Sequence, residues 1–233
     1  MEFYAIKKYV LSGPTVPIYN QAPEGGYDAP LGEFLESVEY EDDGIPNCSV
    51  CNRGLFTNVR VPPLKMNIPK KHGDFLGSQT SELIVSDKVL NMLNKIGATG
   101  FEPRPIVVCK VGRMPTVGKA PKYWELRITG KGGVPDPACG VVPHEICPAC
   151  GITRYTSYQR GILVDKNEWD GSDFFIMDPW YHIFITERVK NLIVENQLRP
   201  CVLYAASEMV WPDSYLPEDY PPRWPLPEKY RQN

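Results

Sequence analysis

Apolar and polar positions along this chain follow two periods. Met1 to Leu11 alternates apolar with polar residues and carries Glu2, Lys7 and Lys8, a pattern that predicts a first strand. Further on, a short β-type run ends in a hydroxyl residue and an acid, and apolar residues then recur at helical spacing. This happens twice. One copy is Ile84-Val85-Ser86-Asp87-Lys88-Val89-Leu90-Asn91-Met92-Leu93, the other Phe184-Ile185-Thr186-Glu187-Arg188-Val189-Lys190-Asn191-Leu192-Ile193. Ser86 and Thr186 are candidate N-caps, and Asp87 and Glu187 stand in the first turn, where the helix dipole favours an acid. Val89, Met92, Leu93 and Ile96 form one stripe, Val189, Leu192 and Ile193 the other, and Gly97 ends the first helix. A proline and a new apolar run follow each copy: Pro105-Ile106-Val107-Val108 and Pro200-Cys201-Val202-Leu203. Tyr123 to Ile128 reads as one more alternating strand. The pattern predicts an α+β protein with a mixed sheet and two strand–helix–strand units, their stripes facing the core.

A Gly/Pro-rich stretch, Gly130 to Pro143, interrupts the periodic segments. From Trp211 onwards the chain holds six prolines and several aromatics, which excludes a helix or a central strand. Residues 1–210 are expected to form one α+β domain, and 211–233 a proline- and aromatic-rich tail. That tail either wraps over the body through Trp211, Tyr215, Tyr220, Trp224 and Tyr230 or engages a partner.

The 233 residues suffice for one large domain or two small ones. No apolar run reaches membrane-spanning length, and the N-terminus lacks the apolar core of a signal peptide. The net charge of −3 hides an asymmetry. Residues 21–47 contain eight acids (Glu24, Asp28, Glu33, Glu36, Glu39, Glu41, Asp42 and Asp43) and no Lys or Arg. Residues 104–131 contain seven bases (Arg104, Lys110, Arg113, Lys119, Lys122, Arg127 and Lys131) against one acid, Glu125. These are two solvated surfaces, two faces that meet, or one face that steers a partner.

The cysteines add chemistry. Cys48-Ser49-Val50-Cys51 and Cys147-Pro148-Ala149-Cys150-Gly151 are two Cys-x-x-Cys motifs separated by 95 residues. Seven scattered cysteines give roughly 0.2 such pairs by chance. Two cysteines three apart on a tight turn aim both sulfurs at one ion, and two such turns supply the four thiolates of a tetrahedral zinc site. Gly151 can take the positive φ such a turn needs, and Asn52 is the next most tolerant type. Closing a long loop costs only about 0.6 kcal/mol per doubling of length. The motifs therefore predict a structural Zn²⁺ on Cys48, Cys51, Cys147 and Cys150, in a zinc-ribbon-like knuckle module built from residues 45–56 and 143–156. Reduced thiols and zinc spacing point to the cytoplasm. Cys109 and Cys201 lie in apolar runs and are expected to be buried and inert.

No phosphate loop, dinucleotide turn or nucleophile elbow occurs. His144-Glu145 abuts the second motif, but the order differs from that of zinc deaminases, and four cysteines leave no open position on the metal. No enzymatic activity is expected. The paired motifs, with Asp178-Pro179-Trp180 through Ile185-Thr186-Glu187-Arg188-Val189, resemble the double-CXXCG-motif immunity family, known from myxobacterial contact-dependent toxin–immunity pairs. Asn52 stands where that family has Gly. The resemblance implies a cytoplasmic immunity protein that binds and neutralises a cognate polymorphic toxin. In that case the acids Glu33, Glu36, Glu39, Glu41, Asp42 and Asp43 are candidates for the toxin-facing surface. The alternative is a zinc-ribbon protein that binds nucleic acid through residues 104–131, stacking bases on Tyr123 and Trp124. The overall acidity counts against it. Neither reading involves a membrane, and the oligomeric state is left open.

Overall fold

A computed structural model describes residues 1–7, 19–20, 33–34, 40–41, 48–51, 59–60, 63–76, 82–116, 120–178, 180–211 and 216–228. In chain order its first strands are β1 (Phe3–Lys7), the two-residue β2 (Tyr19–Asn20), β3 (Glu33–Phe34), β4 (Tyr40–Glu41) and β5 (Val59–Arg60), then β6 (Lys65–Ile68), β7 (Phe75–Leu76) and β8 (Leu83–Ser86). Helix α1 (Asp87–Lys95) follows, then β9 (Phe101–Val111), β10 (Met114–Pro115), β11 (Tyr123–Ile128), β12 (Gly130–Lys131), β13 (Pro143–Ile146), β14 (Thr153–Tyr155), β15 (Phe174–Met177) and β16 (Trp180–Thr186). Helix α2 (Glu187–Glu195) and β17 (Val202–Ala205) complete the set. The protein is α+β, with two α-helices and mixed sheets among the described residues.

Of the two larger sheets, one has the order β12-β15-β16-β1-β17-β2, the other β3-β6-β9-β11-β8-β7 with β10 on β9; β4–β5 and β13–β14 form separate two-stranded ribbons. The two are built alike at their centres. β1 lies antiparallel between β16 and β17, and β11 lies antiparallel between β8 and β9. In each, the strand after the helix runs parallel to the strand before it, with a third strand inserted between: a split β-α-β arrangement. Each unit also opens with a hairpin, β7–β8 and β15–β16. The units differ in where the inserted strand comes from. β11 follows its unit in the chain, whereas β1 precedes its unit by well over a hundred residues.

Alternation along the strands divides the buried side chains among three clusters. Tyr4, Ile6, Ile185 and Leu203 of the first sheet join Val85 and Leu126 of the second in one core, which also takes Val89, Leu90 and Leu93 of α1 and Val189 and Ile193 of α2. Each fully buried Leu or Val contributes about 1.5–3 kcal/mol. Their neighbours in sequence face the other way. Phe3, Ala5, Phe184, Val202 and Tyr204 pack with Cys139, Tyr158 and Ile162, while Met66, Ile68, Ile84, Ile106, Val108 and Tyr123 form a third cluster. The same period corrects one expectation. Cys201 is buried, but Cys109 is only half-buried, because it shares its face of β9 with Val107, which is 43% exposed.

The helix starts are matched across the two units, 100 residues apart. Ser86 N–H donates to the Asp74 carbonyl and Thr186 N–H to that of Asp173. Ser86 Oγ accepts from Val89 N–H as an N-cap should, at 3.4 Å. Thr186 makes no such cap; its hydroxyl donates to Asp173 at 2.7 Å instead. Each aspartate is also held by the loop that follows the other unit's helix. Thr99 N–H donates to Asp173 at 3.0 Å, and Arg199 N–H donates to Asp74 at 3.2 Å. The two units thus interlock reciprocally. At the helix ends, Gly97 (φ 63°) and Gln197 (φ 49°) occupy equivalent left-handed positions, so an ordinary side chain stands in the second copy where the first uses glycine.

β9 begins at Phe101, four residues before the expected Pro105. Pro103 and Pro105 fit because β6 pairs with β9 only from Val107 onwards. Among the described residues their half of the strand pairs with β11 alone, and no ladder bond is lost on the other side.

Candidate metal centre

The second Cys-x-x-Cys motif forms the tip of the β13–β14 hairpin. Pro143 pairs with Tyr155 and Ile146 with Thr153, and the turn between them is closed by Cys147 N–H to Ile152 O and Gly151 N–H to Cys147 O, both 2.9 Å. Gly151 has φ +75°, the left-handed conformation that a side chain would strain. The first motif is a separate turn, Cys48–Cys51. It reaches the hairpin across 99 residues of sequence.

The structure brings all four predicted ligands together. Their Sγ atoms lie within 4.8 Å of one another. Cys48 Sγ is 3.8 Å from Cys147 Sγ, and Cys51 Sγ is 3.7 Å from Cys150 Sγ. A tetrahedron with metal–sulfur bonds of about 2.3 Å has edges of about 3.8 Å, and these two edges already have that length. Cys51 and Cys147 are buried, Cys48 is half-buried and Cys150 is exposed. Among the described residues the candidate donor set is these four sulfurs.

The electrostatics favour a cation at the centre. Backbone N–H groups of Cys51 and then Val50 pull the Cys48 thiol down to about 6. At Cys150 the Ile152 N–H pulls the thiol down, but desolvation and the three neighbouring sulfurs outweigh it and push it up to about 12. Cys48 is therefore eased towards the thiolate, whereas Cys150 is held as the thiol. A divalent cation held there would supply countercharge and would displace the thiol protons.

The hairpin is braced by the tail. Glu145 is 3% exposed; it accepts from Arg223 N–H at 2.7 Å and pairs with Arg154 at 3.7 Å. Glu218 accepts from Ser157 N–H at 2.9 Å and Ser157 Oγ at 2.5 Å. Burial raises the Glu218 carboxyl, but the Ser157 hydroxyl and N–H more than offset this and leave it below the usual carboxylate range. His144 Nε2 donates to Tyr220 O at 2.8 Å, and Trp211 packs edge-on against Tyr158. The described part of the tail therefore lies over the hairpin that carries two of the ligands. Wrapping of the tail through Trp211 and Tyr220 is one of two readings of the sequence; the Glu145 and Glu218 contacts are not read from it. The available signal was His144-Glu145 beside the motif, a polar pair with no role in metal ligation.

The acidic surface is a different matter. Glu33 and Glu41 lie on β3 and β4, while Glu36, Glu39, Asp42 and Asp43 lie outside the described residues, as does Asn52. In the basic stretch, Arg127 pairs with Glu102 at 3.1 Å and Arg104 with the same carboxylate at 3.9 Å. Tyr123 is 3% exposed and its hydroxyl donates to Gly73 O. Trp124 packs on the shared core and donates to Asp87 at 2.9 Å. Both rings are used inside the fold. Among the described residues no helix is long and apolar enough to cross a membrane. No family model matches the chain, and no curated protein matches it.

Proposed function

We propose that the four cysteines hold one structural zinc ion in a zinc-ribbon-like module, and that the chain is a cytoplasmic immunity protein that binds and neutralises a cognate toxin without chemistry of its own. The observation that carries the metal half is the convergence of the Cys48, Cys51, Cys147 and Cys150 sulfurs to within 4.8 Å of one another, with two contacts at the edge length of a thiolate tetrahedron. A closed four-sulfur set has no position for a reacting water, which supports a binding role over catalysis. The toxin half rests on the paired motifs and the family they resemble. The nucleic-acid alternative loses support from the inward placement of Tyr123 and Trp124, which leaves no ring on that strand for base stacking.

Co-expression with the toxin encoded next to this gene tests the toxin half. Cells that carry both are expected to survive, and cells that carry the toxin alone to die. Equal death in both would rule out immunity. If the toxin acts on nucleic acid, its groove is basic and the acidic segment from Glu33 to Asp43 fits it. Reversing Glu41, Asp42 and Asp43 to lysine is then expected to slow association by about tenfold or more at low salt, with the melting temperature unchanged. An unchanged rate constant removes that segment from the interface.

A further inference from the structure

The two units share a frame but not what fills it. Tyr123 pairs with Ser86 as Phe3 pairs with Thr186. Lys122 therefore holds the place of Glu2, and Lys88 that of Arg188. Arg199, whose N–H donates to Asp74, holds the place of Thr99, whose N–H donates to Asp173. In the second unit protein spans this place: Arg188 runs from Asp173 to the carbonyls of Ile96 and Gly97, and Trp169 packs edge-on against Phe3. In the first unit the shorter reach of Lys88 ends on Asp74 at 3.3 Å. A cleft of about 430 Å³ stays open there, with His72, Lys88, Pro121, Lys122, Tyr123 and Arg199 in its lining. Its two carboxylates are used by the fold. Asp74 accepts from Lys88 at 3.3 Å and from Arg199 N–H at 3.2 Å, and Asp87 accepts from Trp124 Nε1 at 2.9 Å and from the Asn91 amide at 3.2 Å. Lys122 and Arg199 are exposed, and among the described residues no carboxylate pairs with either side chain. Their backbones are fixed all the same. Lys122 O accepts from Asp87 N–H at 3.0 Å, and Arg199 O from Asp74 N–H at 2.6 Å. Gly73 lies so close to that second carbonyl that a Cβ would stand 2.4 Å from it.

We propose that this cleft binds a phosphomonoester, with the phosphoryl group held by Lys88, Lys122 and Arg199 and the organic part against Pro121 and His72. The three cations come from three elements: the start of α1, the residue before β11 and the turn that leads into β17. A phosphoryl dianion offers three terminal oxygens to them and matches the fork of a guanidinium. A carboxylate offers two oxygens and one charge. The volume lies in the range of small-molecule pockets, about 300–1,000 Å³, which is more than a bare phosphate ion fills and leaves room for the group it esterifies. Because the backbones of Lys122 and Arg199 are set before a ligand arrives, little ordering cost is left to binding. The second unit acts as an internal control: with Glu2 and Thr99 in these places it has the same frame without the cations. The site is separate from the metal centre and asks nothing of it.

The test is calorimetric titration of the full-length protein in chloride buffer, with inorganic phosphate and with phenyl phosphate as probes. One phenyl phosphate per chain is expected, bound about tenfold or more tighter than inorganic phosphate, because the ring leaves water. Lys122→Glu and Arg199→Thr install the residues of the second unit. Each is expected to weaken phenyl phosphate about tenfold or more, with the melting temperature of the free protein unchanged. Lys122→Gln removes the cation without adding a charge and carries the comparison if glutamate disturbs the fold. Lys166→Glu, at an exposed position between β14 and β15, is expected to bind like the wild type. Heats that do not saturate by about 10 mM probe overturn the proposal. So does equal weakening by Lys166→Glu and Lys122→Glu, which marks an adventitious ion only. Inorganic phosphate that binds as tightly as phenyl phosphate overturns the assignment to an ester.

Discussion

Cys147→Ser is expected to lower the unfolding free energy by several kcal/mol, on the order of 3–5, and to abolish zinc retention. Structural zinc contributes on the order of 10–16 kcal/mol to small domains that depend on it wholly. Here the loss is smaller, because the shared core between the sheets, with Tyr4, Val85, Leu93, Ile185 and Leu203 at 5% exposure or less, survives without the ion. What is lost is the joint between the Cys48–Cys51 turn and the β13–β14 hairpin. Urea unfolding of wild type and variant, each with and without a strong chelator, measures it. Chelation is expected to bring the wild type down to the variant and to leave the variant where it is. A wild type that ignores the chelator, or a variant that melts like the wild type, contradicts a structural role for the cluster.

The second large effect lies at Asp173. Its side chain is 7% exposed and pairs with Arg188. It accepts from Thr99 N–H, from the Thr186 hydroxyl and from both Nε and Nη2 of Arg188. Asp173→Ala is expected to cost about 3 kcal/mol, because it strands these donors at the junction of the two units. Asp74 occupies the equivalent place but is more open, at 17% exposure, with a single lysine contact at 3.3 Å. Asp74→Ala is expected to cost about 1 kcal/mol. Equal losses would mean that the pairing with Arg188 adds nothing. The ionisation itself can be separated. Burial raises the Asp173 carboxyl, but Arg188, the Thr186 hydroxyl and Thr99 N–H more than offset this and hold it below the usual range. A depressed folded pKa stabilises the protein above the unfolded value of about 3.9 and loses that contribution as pH falls through the folded value. The stability gap between wild type and Asp173→Asn is therefore expected to be constant near neutrality and to close below about pH 4. A gap that persists into strong acid assigns the effect to packing.

Helical periodicity at Val89, Leu93, Val189 and Ile193 and the alternation of Tyr123–Ile128 made the two helices and one central strand legible, because each encodes its own burial. The pairing of strands was not. Nothing local in Phe3–Lys7 says that it inserts between β16 and β17, since that neighbour relation is set by tertiary packing across nearly the whole chain. The reciprocal use of Thr99 and Arg199 is equally silent in sequence, because backbone N–H donors leave no side-chain signature. Cys109 was misread because a run of apolar residues fixes a strand but not which of its faces is covered. The cysteine cluster was legible for the opposite reason: paired Cys-x-x-Cys turns have few uses other than to bring four sulfurs together. The tail's grip on the hairpin, through Glu218, Tyr220 and Arg223, depends on contacts that composition alone does not order.

Zinc K-edge X-ray absorption on the purified protein tests the central claim most directly. The account predicts one zinc per chain in a shell of four sulfurs at about 2.3 Å, with no nitrogen or oxygen scatterer. Protein without zinc, or a shell that mixes sulfur with lighter ligands at about 2.0–2.1 Å, would contradict it.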